Sequence, residues 1–246
     1  MLTIIVPMAG RGSRFAREGW PVPKPLIPVM GRPMIQLVIE NLRPSRPHRF
    51  VFICQREHVV EYDLLRRLQS WSPGCGIVEV DGITDGAACT VLLARDYITS
   101  EPLMIANSDQ YVDIAIDDYL EATSKFDGMI MTMTASDPKW SFVSLQGDQV
   151  TRVVEKQAIS TEATVGIYNF SRGSEFVRAA EQMIDADQRV NNEFYVAPVY
   201  NNLIVDGARV GIYNIGAEAD GMYGLGTPSD LELFLALPIA GRVVKA

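Results

Sequence analysis

Hydrophobic positions over the first 110 residues or so follow two alternating periods. Short apolar, β-branched runs, "LTIIVP" (2–7), "RFVFIC" (49–54), "GIVEV" (76–80) and "LMIAN" (103–107), predict strands. Between them lie segments with helical spacing: "MIQLVIENL" with Pro33 at its first helical position, "VVEYDLLRRLQSW" (59–71) with Val60, Leu64, Leu68 and Trp71 on one face, and "AACTVLLARDYI" (87–98). Strands alternating with helices predict βαβ units and a parallel sheet covered by helices on both faces.

The second half changes character. "GMIMTMTA" (128–135), "FVSLQ" (142–146), "TRVVE" (151–155) and "TVGIYNF" (164–170) are strand patterns with short connections, and "GDQ" (147–149) suits a hairpin turn. An antiparallel or mixed extension is expected there. Helices are expected around 174–184 and 196–205, with a strand at "ARVGIYNI" (208–215). A last helix opens at "TPSDLELFL", where Thr227 is the N-cap, Pro228 the first helical residue and Asp230 the third. No repeat, low-complexity tract or Gly/Ser/Pro-rich linker interrupts the chain, so one compact unit over 1–246 is expected.

Composition narrows the partners. With 246 residues and 48% hydrophobic content the chain can bury a large core. No apolar stretch approaches the roughly 20 residues that span a bilayer, and Gly10 and Arg11 break the N-terminal run, so neither a membrane helix nor a secretory signal is predicted and a cytoplasmic location is expected. Cys54, Cys75 and Cys89 show no CxxC spacing and read as inert thiols; with His48 and His58 as the two histidines, a zinc site is not predicted. A net charge of −8 argues against a nucleic-acid surface. Locally the balance reverses: Arg11, Arg14, Arg17, Lys24 and Arg32 face one acid, Glu18, between positions 11 and 32. A basic segment in an acidic protein suits a small anionic ligand better than a polymer.

That segment contains "MAGRGSRF" (8–15), directly after the first strand. It lacks the GxxxxGK[ST] of a Walker A loop, and Phe15 occupies the third glycine position of the dinucleotide fingerprint. A tight strand-to-helix turn accounts for Gly10 and Gly12 alone, but not for Arg11, Arg14 and Lys24 together. Glycines let backbone N–H groups approach an anion, and arginines offer forked donors to phosphate oxygens. Lys24, between Pro23 and Pro25, can be aimed as a point charge by its fixed backbone; an exposed loop lysine is the plainer alternative. Asp109 follows the apolar "LMIA" and should stand at the carboxyl end of a central strand, where open α/β sheets place ligands. There a carboxylate can hold Mg²⁺ against a triphosphate, or merely form an Asx turn.

"MAGRGSRF" followed by "KPLIPVMGRPMIQ" resembles the signature of bacterial nucleotidyltransferases that activate sugar 1-phosphates, the family of glucose-1-phosphate thymidylyltransferases and mannose-1-phosphate guanylyltransferases. Further matches are "DGAACTVLLA", "IANSDQ", "VVEK", "VGIYNF", "NNEFYV" and "GLGTPSDLE". The resemblance implies a Rossmann-like, mainly parallel mixed sheet flanked by helices, of the GT-A-like nucleotidyltransferase kind, with a smaller antiparallel extension. Residues up to about 125 would bind the nucleotide and the rest the acceptor. It further implies transfer of a nucleoside monophosphate from a triphosphate to a sugar phosphate, with Mg²⁺ as cofactor and nucleotide-sugar supply for polysaccharide biosynthesis as its setting.

Carried over by position, Arg14, Lys24 and Asp109 would be catalytic, with Asp109 the metal ligand. Ala9, Gly10, Arg11, Gly12, Asp85, Gly86 and Ala87 would bind the nucleotide, Asp85 being equally readable as an N-cap and Gln55 ranking below them. Glu155 and Lys156 would face the acceptor, the glutamate on hydroxyls and the lysine on phosphate, against the reading of a surface ion pair. Gly166 would clear space beside the acceptor, and Asn192 and Glu193 would bind its hydroxyls. One departure stands out: many relatives carry an aspartate, a second metal ligand, just before the Gly-Thr of "GLGTP", where this chain has Gly224. Glu218 or Asp220, or water, would have to replace it, or catalysis is weakened.

An acceptor phosphate is already anionic at neutral pH, its second pKa being about 6, so no general base is required. A cytidylyltransferase for phosphocholine or another non-sugar phosphate is the nearest rival. A nucleotide-binding protein with weak catalysis is another, and an NAD(P) oxidoreductase or a DxD glycosyltransferase fits the residues less well. The base, the acceptor and whether copies associate stay open at the level of sequence.

Overall fold

The computed structural model describes residues 1–243. Strand β1 (Leu2–Pro7) is buried along nearly its whole length, as a fully covered parallel strand requires. The glycine loop follows and leads into α1 (Ser13–Arg17), whose Phe15 is the residue that goes inside. A small antiparallel ribbon, β2 (Pro28–Val29) with β3 (Arg32–Pro33), turns through Met30 and Gly31. Helix α2 (Met34–Leu42) begins one residue later than expected, with Pro33 as its N-cap, and buries six of its nine residues.

Strand β4 (His48–Gln55) comes next. The single helix expected over 59–71 is two, α3 (Arg56–Glu61) and α4 (Leu64–Trp71), because Asp63 takes a left-handed conformation at φ 50° between them. Val60, placed on the apolar face by its spacing, is exposed at 78%; α4 still buries Leu64 and Leu68. After β5 (Gly76–Val80), α5 (Ala87–Leu92) stops short of the expected 98. The chain bends there to lay the Tyr97 ring against Gly76, where an added Cβ would stand 2.6 Å from the ring.

Strand β6 (Leu103–Ala106) leads to β7 (Gln110–Val112) and α6 (Ile116–Ala122). The second half contributes β8 (Gly128–Thr134), the hairpin β9 (Ser141–Gln146) and β10 (Gln149–Glu155), then β11 (Glu162–Phe170) and α7 (Gly173–Asp185). Helix α8 (Val199–Val205) starts at Val199 rather than 196, with Pro198 at its N-cap. Strand β12 (Val210–Glu218), β13 (Gly221–Gly224), α9 (Pro228–Ala236) and α10 (Pro238–Val243) complete the described residues. The start of α9 is as expected: the Thr227 hydroxyl accepts from the Asp230 N–H at 3.1 Å.

One eleven-stranded sheet passes through both halves in the order β5-β4-β1-β6-β11-β8-β12-β13-β7, with the β9–β10 hairpin joined to β11. Strands β5, β4, β1 and β6 are mutually parallel, β11 runs against both β6 and β8, and β12 returns parallel to β8. The sheet is thus mixed and mainly parallel, with the antiparallel part in the second half. Helices α2, α4 and α6 cover one face, and α5, α7 and α8 the other. A third apolar cluster, Phe15 with Ile27, Val29, Leu225 and Phe234, lies under the glycine loop. No helix among the described residues is long and apolar enough to cross a membrane.

Candidate active site

Strands β1 and β6 are parallel neighbours, Thr3 opposite Leu103, so the loops that follow them emerge at the same edge of the sheet. The loop after β1 carries Met8 to Gly12 and the loop after β6 carries Asn107 to Asp109. This is the position that open α/β sheets use for ligands. Phe15 explains why the loop departs from the dinucleotide fingerprint. Its ring is buried in the third cluster, edge-on to Trp20 at 5.8 Å, and anchors α1 from beneath, where a glycine would anchor nothing.

Lys24 approaches from a short 3-10 turn, Lys24–Leu26, whose entry is set by Pro23 at φ −62°, ψ 149°. Its ammonium donates to Asp109 Oδ2 at 2.8 Å, the two side chains being 20% and 24% exposed. Asp109 is held from behind, since its carbonyl accepts from Leu225 N–H at 2.8 Å. Gly226 gives its carboxylate room: a Cβ there would stand 2.6 Å from Oδ2. Residues 85 apart in sequence and the start of the α9 turn therefore converge on one ion pair.

Two hollows meet at this corner. The first, about 310 Å³, is lined by Met8 to Gly10, Lys24, Gly86, Ala87, Asn107 to Asp109 and Glu193. The second, about 260 Å³, is lined by Lys139, Trp140, Ser141, Glu155, Gly166 and Tyr195 among others. Pro7, Ala87 and Asn107 border both, so the two form one trough. Asn107 is the partition. Its N–H donates to the Gly166 carbonyl at 3.0 Å, and a Cβ at Gly166 would collide with its amide at 2.1 Å.

Gly86 is required by its backbone. Its φ of 130° with ψ 173° is a region essentially restricted to glycine, and a Cβ would lie 2.5 Å from both N and O of Phe194. The two segments are laced together: Ala88 N–H donates to Phe194 O at 2.9 Å and Phe194 N–H to Asp85 O at 2.8 Å. The Asp85 side chain is exposed and paired with Arg189 at 3.2 Å; its part in this lacing is through the backbone.

In the second hollow Glu155 is buried and accepts the Ser141 hydroxyl, with Lys156 Nζ 3.8 Å away. Burial pushes the Glu155 carboxyl above the usual range, and the Ser141 hydrogen bond and Lys156 only partly oppose this. Lys156 adopts φ 56° and holds its ammonium 5.4 Å from the Tyr195 ring centroid. Burial also pushes the Cys54 thiol up to about 12, in keeping with an inert cysteine.

The trough brings together Ala9, Gly10, Lys24, Gly86, Ala87, Asp109 and Glu193 on one side, and Glu155 and Gly166 on the other. Gly12 packs against Lys24, at φ 58°. Arg11 lines a neighbouring hollow of about 680 Å³ with Ser13, Arg17, Gln55, His58 and Asp81. Arg14 is exposed on α1 and lines neither side of the trough, and among the described residues it has no hydrogen bond or ion pair. Asn192 is an exposed loop residue in a left-handed conformation at φ 64°. Gln55 is a structural tie: its amide donates to the carbonyls of Ala9 and Gly82 at 2.5 and 2.6 Å. Asn107, Ser141, Trp140, Lys139 and Tyr195 were not singled out in the sequence. The signal for them was an Asn immediately after an apolar strand and a Lys-Trp pair at the mouth of another.

Among the described residues no three His, Cys, Asp or Glu side chains gather as a cation cage. Glu218 is held by Lys139 at 2.8 Å, Asp220 lies in the β12–β13 turn, and neither lines the trough. Asp109, paired with Lys24, supplies a carboxylate at the corner, and the exposed Glu193 lines the same hollow. That donor set fits Mg²⁺ in its usual nucleotide form, in which one or two carboxylates join substrate phosphates and waters.

The family model described as nucleotidyl transferase matches residues 4–197. The bifunctional protein GlmU of Methanocaldococcus jannaschii is 27% identical over 174 residues, 68% of this chain and 40% of that protein. The mannose-1-phosphate guanylyltransferase catalytic subunit beta of Danio rerio is 27% identical over 178 residues, 68% of this chain and 49% of that one. The chain therefore spans half or less of the length of these curated relatives. Among solved structures, the nucleoside-diphosphate-sugar pyrophosphorylase of Vibrio cholerae RC9 superposes with a TM-score of 0.82 at 23% identity, covering 95% of this chain and 100% of that one.

Proposed function

The chain belongs to the nucleotidyl transferase family, and on that premise we propose that it transfers a nucleoside monophosphate from a nucleoside triphosphate to a sugar phosphate, releasing pyrophosphate. The observation that carries this reading is the Lys24–Asp109 pair in the first of two hollows that share Pro7, Ala87 and Asn107, beside the glycine loop. One hollow receives the triphosphate and the other the acceptor, so that nucleophile and α-phosphorus meet at Asn107 and Asp109. In this assignment residues up to about 125 serve mainly the nucleotide and the rest the acceptor, Glu193 being the exception that reaches across.

An acceptor phosphate oxygen attacks the α-phosphorus; the bond from that phosphorus to the bridging oxygen breaks, and pyrophosphate leaves with the electron pair. The nucleophile is an anion already, so the task is to neutralise charge and align the reacting groups. Gly10 and Ala9 bring backbone close to the phosphates, and Lys24 contributes a fixed ammonium. Arg11, on the neighbouring hollow, and Arg14, exposed on α1 outside the trough, would have to swing toward the phosphates to meet their oxygens. Asp109 would hold Mg²⁺, which would supply positive charge to offset that of the phosphates. Gly86 and Ala87 let the nucleoside lie close to α5. Glu155 accepts hydrogen bonds from acceptor hydroxyls, and Lys156 faces the acceptor phosphate.

Phosphocholine fits the second hollow less well. Trp140 and Tyr195 are the aromatic faces that would attract a quaternary ammonium, and they already carry Lys139 and Lys156 ammoniums at 4.8 and 5.4 Å. A cationic ligand would meet like charge, while a polyhydroxylated phosphate would not. We place the reaction in the cytoplasm, as supply of an activated sugar for polysaccharide synthesis. The test is pyrophosphate release with Mg²⁺ over a matrix of four nucleoside triphosphates against sugar phosphates and phosphocholine. Turnover with a sugar phosphate supports the reading; turnover with phosphocholine alone, or none with any pair, overturns it.

A further inference from the structure

The acceptor hollow contains a cation that neither the loop motif nor the Glu155–Lys156 pair accounts for. In the β9–β10 hairpin Ser141 lies opposite Glu155, which sets Trp140 opposite Lys156; Lys156 N–H donates to Trp140 O at 3.0 Å. Lys139 precedes Trp140 and lines the hollow, while Lys156 stands beside two of its lining residues, Glu155 and Tyr195. Lys139 Nζ is fixed by Glu218 Oε1 at 2.8 Å, by Asp137 Oδ2 at 3.9 Å and by the Trp140 ring at 4.8 Å. The Trp140 indole Nε1–H beside it is buried and has no hydrogen-bond partner among the described residues. An unmet donor next to a held ammonium is a pattern that an anionic oxygen satisfies.

The same neighbourhood includes the position where this chain lacks a carboxylate. Glu218, Gly224 and Asp230 border one recess, and a Cβ on Gly224 would stand 3.5 Å from Asp230. Gly224 offers no side-chain carboxylate of its own, so less divalent charge can be bound there than an aspartate at that position would help to hold. A lysine ammonium is the other source of positive charge for two polyanions brought into contact. The Lys139–Glu218 pair is about half exposed, 46% and 40%, so exchanging the carboxylate for a phosphate costs little.

We propose that Lys139 is a phosphate-binding residue of the acceptor site, acting beside Lys156 and supplying positive charge where Gly224 leaves no side-chain carboxylate as a second metal ligand. The ligand class is a small phosphate monoester, and the inference rests on the nucleotidyl-transfer reading above. On acceptor binding the phosphate replaces Glu218 as the partner of the ammonium.

The experiment uses the full chain with the nucleotide and acceptor that the matrix identifies. Lys139→Met is expected to raise the acceptor KM at least tenfold with the nucleotide KM within twofold of wild type, and Lys139→Arg to recover most of the loss. Glu218→Gln, which frees the ammonium, is expected not to raise the acceptor KM. If Lys139→Met and Glu218→Gln lower the melting temperature alike and leave the acceptor KM unchanged, Lys139 is a strut between the hairpin and β12, and the inference is overturned. Calorimetric titration with inorganic phosphate separates this from the transfer reading. A wild-type chain without turnover on any pair sinks that reading, whereas phosphate binding equal in wild type and Lys139→Met sinks the assignment of Lys139.

Discussion

Replacing Gly226 with alanine tests the reaction corner with little disturbance elsewhere. The added Cβ would stand 2.6 Å from Asp109 Oδ2, and ordinary contact begins at 3.4 Å, so the carboxylate must retreat by about 0.8 Å. Gly226 does not occupy the left-handed region, so alanine adds no backbone strain there. Movement away from Lys24 would stretch their 2.8 Å hydrogen bond to about 3.6 Å, past useful range. Misplacement of a catalytic group by about 1 Å costs on the order of 100-fold in rate. A loss of about 10- to 100-fold in kcat is therefore expected, equivalent to about 1.4–2.7 kcal/mol of transition-state stabilisation. Continuous pyrophosphate release gives kcat, and thermal unfolding gives the stability cost, expected near 1 kcal/mol. If kcat stays within twofold of wild type, the position of the Asp109 carboxylate does not limit the reaction, and the reasoning fails.

Lys24→Met and Asp109→Asn should each lower kcat/KM by about 10²–10³, and the double variant should cost far less than the product of the two. A double-mutant cycle checks this, and strict additivity would show that the pair does not act as a unit. Gly86→Ala should destabilise the fold by at least about 2 kcal/mol, because its conformation excludes a Cβ and the obstacle is Phe194 backbone rather than a movable side chain. Urea unfolding measures the loss, and an unchanged midpoint would contradict the lacing of these segments. Glu155→Gln probes a buried carboxyl whose folded pKa lies above its unfolded one, chiefly through desolvation. The folded protein holds that proton more tightly, so wild type loses stability relative to the glutamine variant as pH rises through the window between the two pKa values. Melting curves of both proteins from pH 4 to 8 are expected to diverge in that direction; divergence of the opposite sign would mean that Ser141 and Lys156 outweigh burial.

The pattern of apolar residues was enough to place most strands and the last helix, because burial on both faces writes itself into local sequence. The predominantly apolar "LTIIVP" and the apolar "LMIA" read as central strands and are. Where tertiary contacts outweighed local pattern the reading slipped. Val60 has helical spacing yet is exposed, since the left-handed Asp63 rotates α3 out of register with α4. Helix α5 ends early because Tyr97 is needed over Gly76, a demand from a strand eleven residues before it.

At the site, residue types and prolines made Lys24 and Asp109 candidates one at a time, each with a plain structural alternative, and it was the resemblance of "MAGRGSRF", "KPLIPVMGRPMIQ" and "IANSDQ" to a family signature that favoured them. What sequence could not decide was that they touch, that Gly226 clears the space beside them, or that Gln55 is spent on backbone. Nor could it separate Lys139, beside the acceptor hollow, from any lysine at a strand end, since only the pairing of Ser141 with Glu155 brings it there. By itself the sequence determined which segments are strand or helix and where positive charge concentrates, for those are properties of neighbours along the chain. The tertiary structure decided which charges share a hollow, because sheet order and strand register join residues that the chain keeps 85 positions apart.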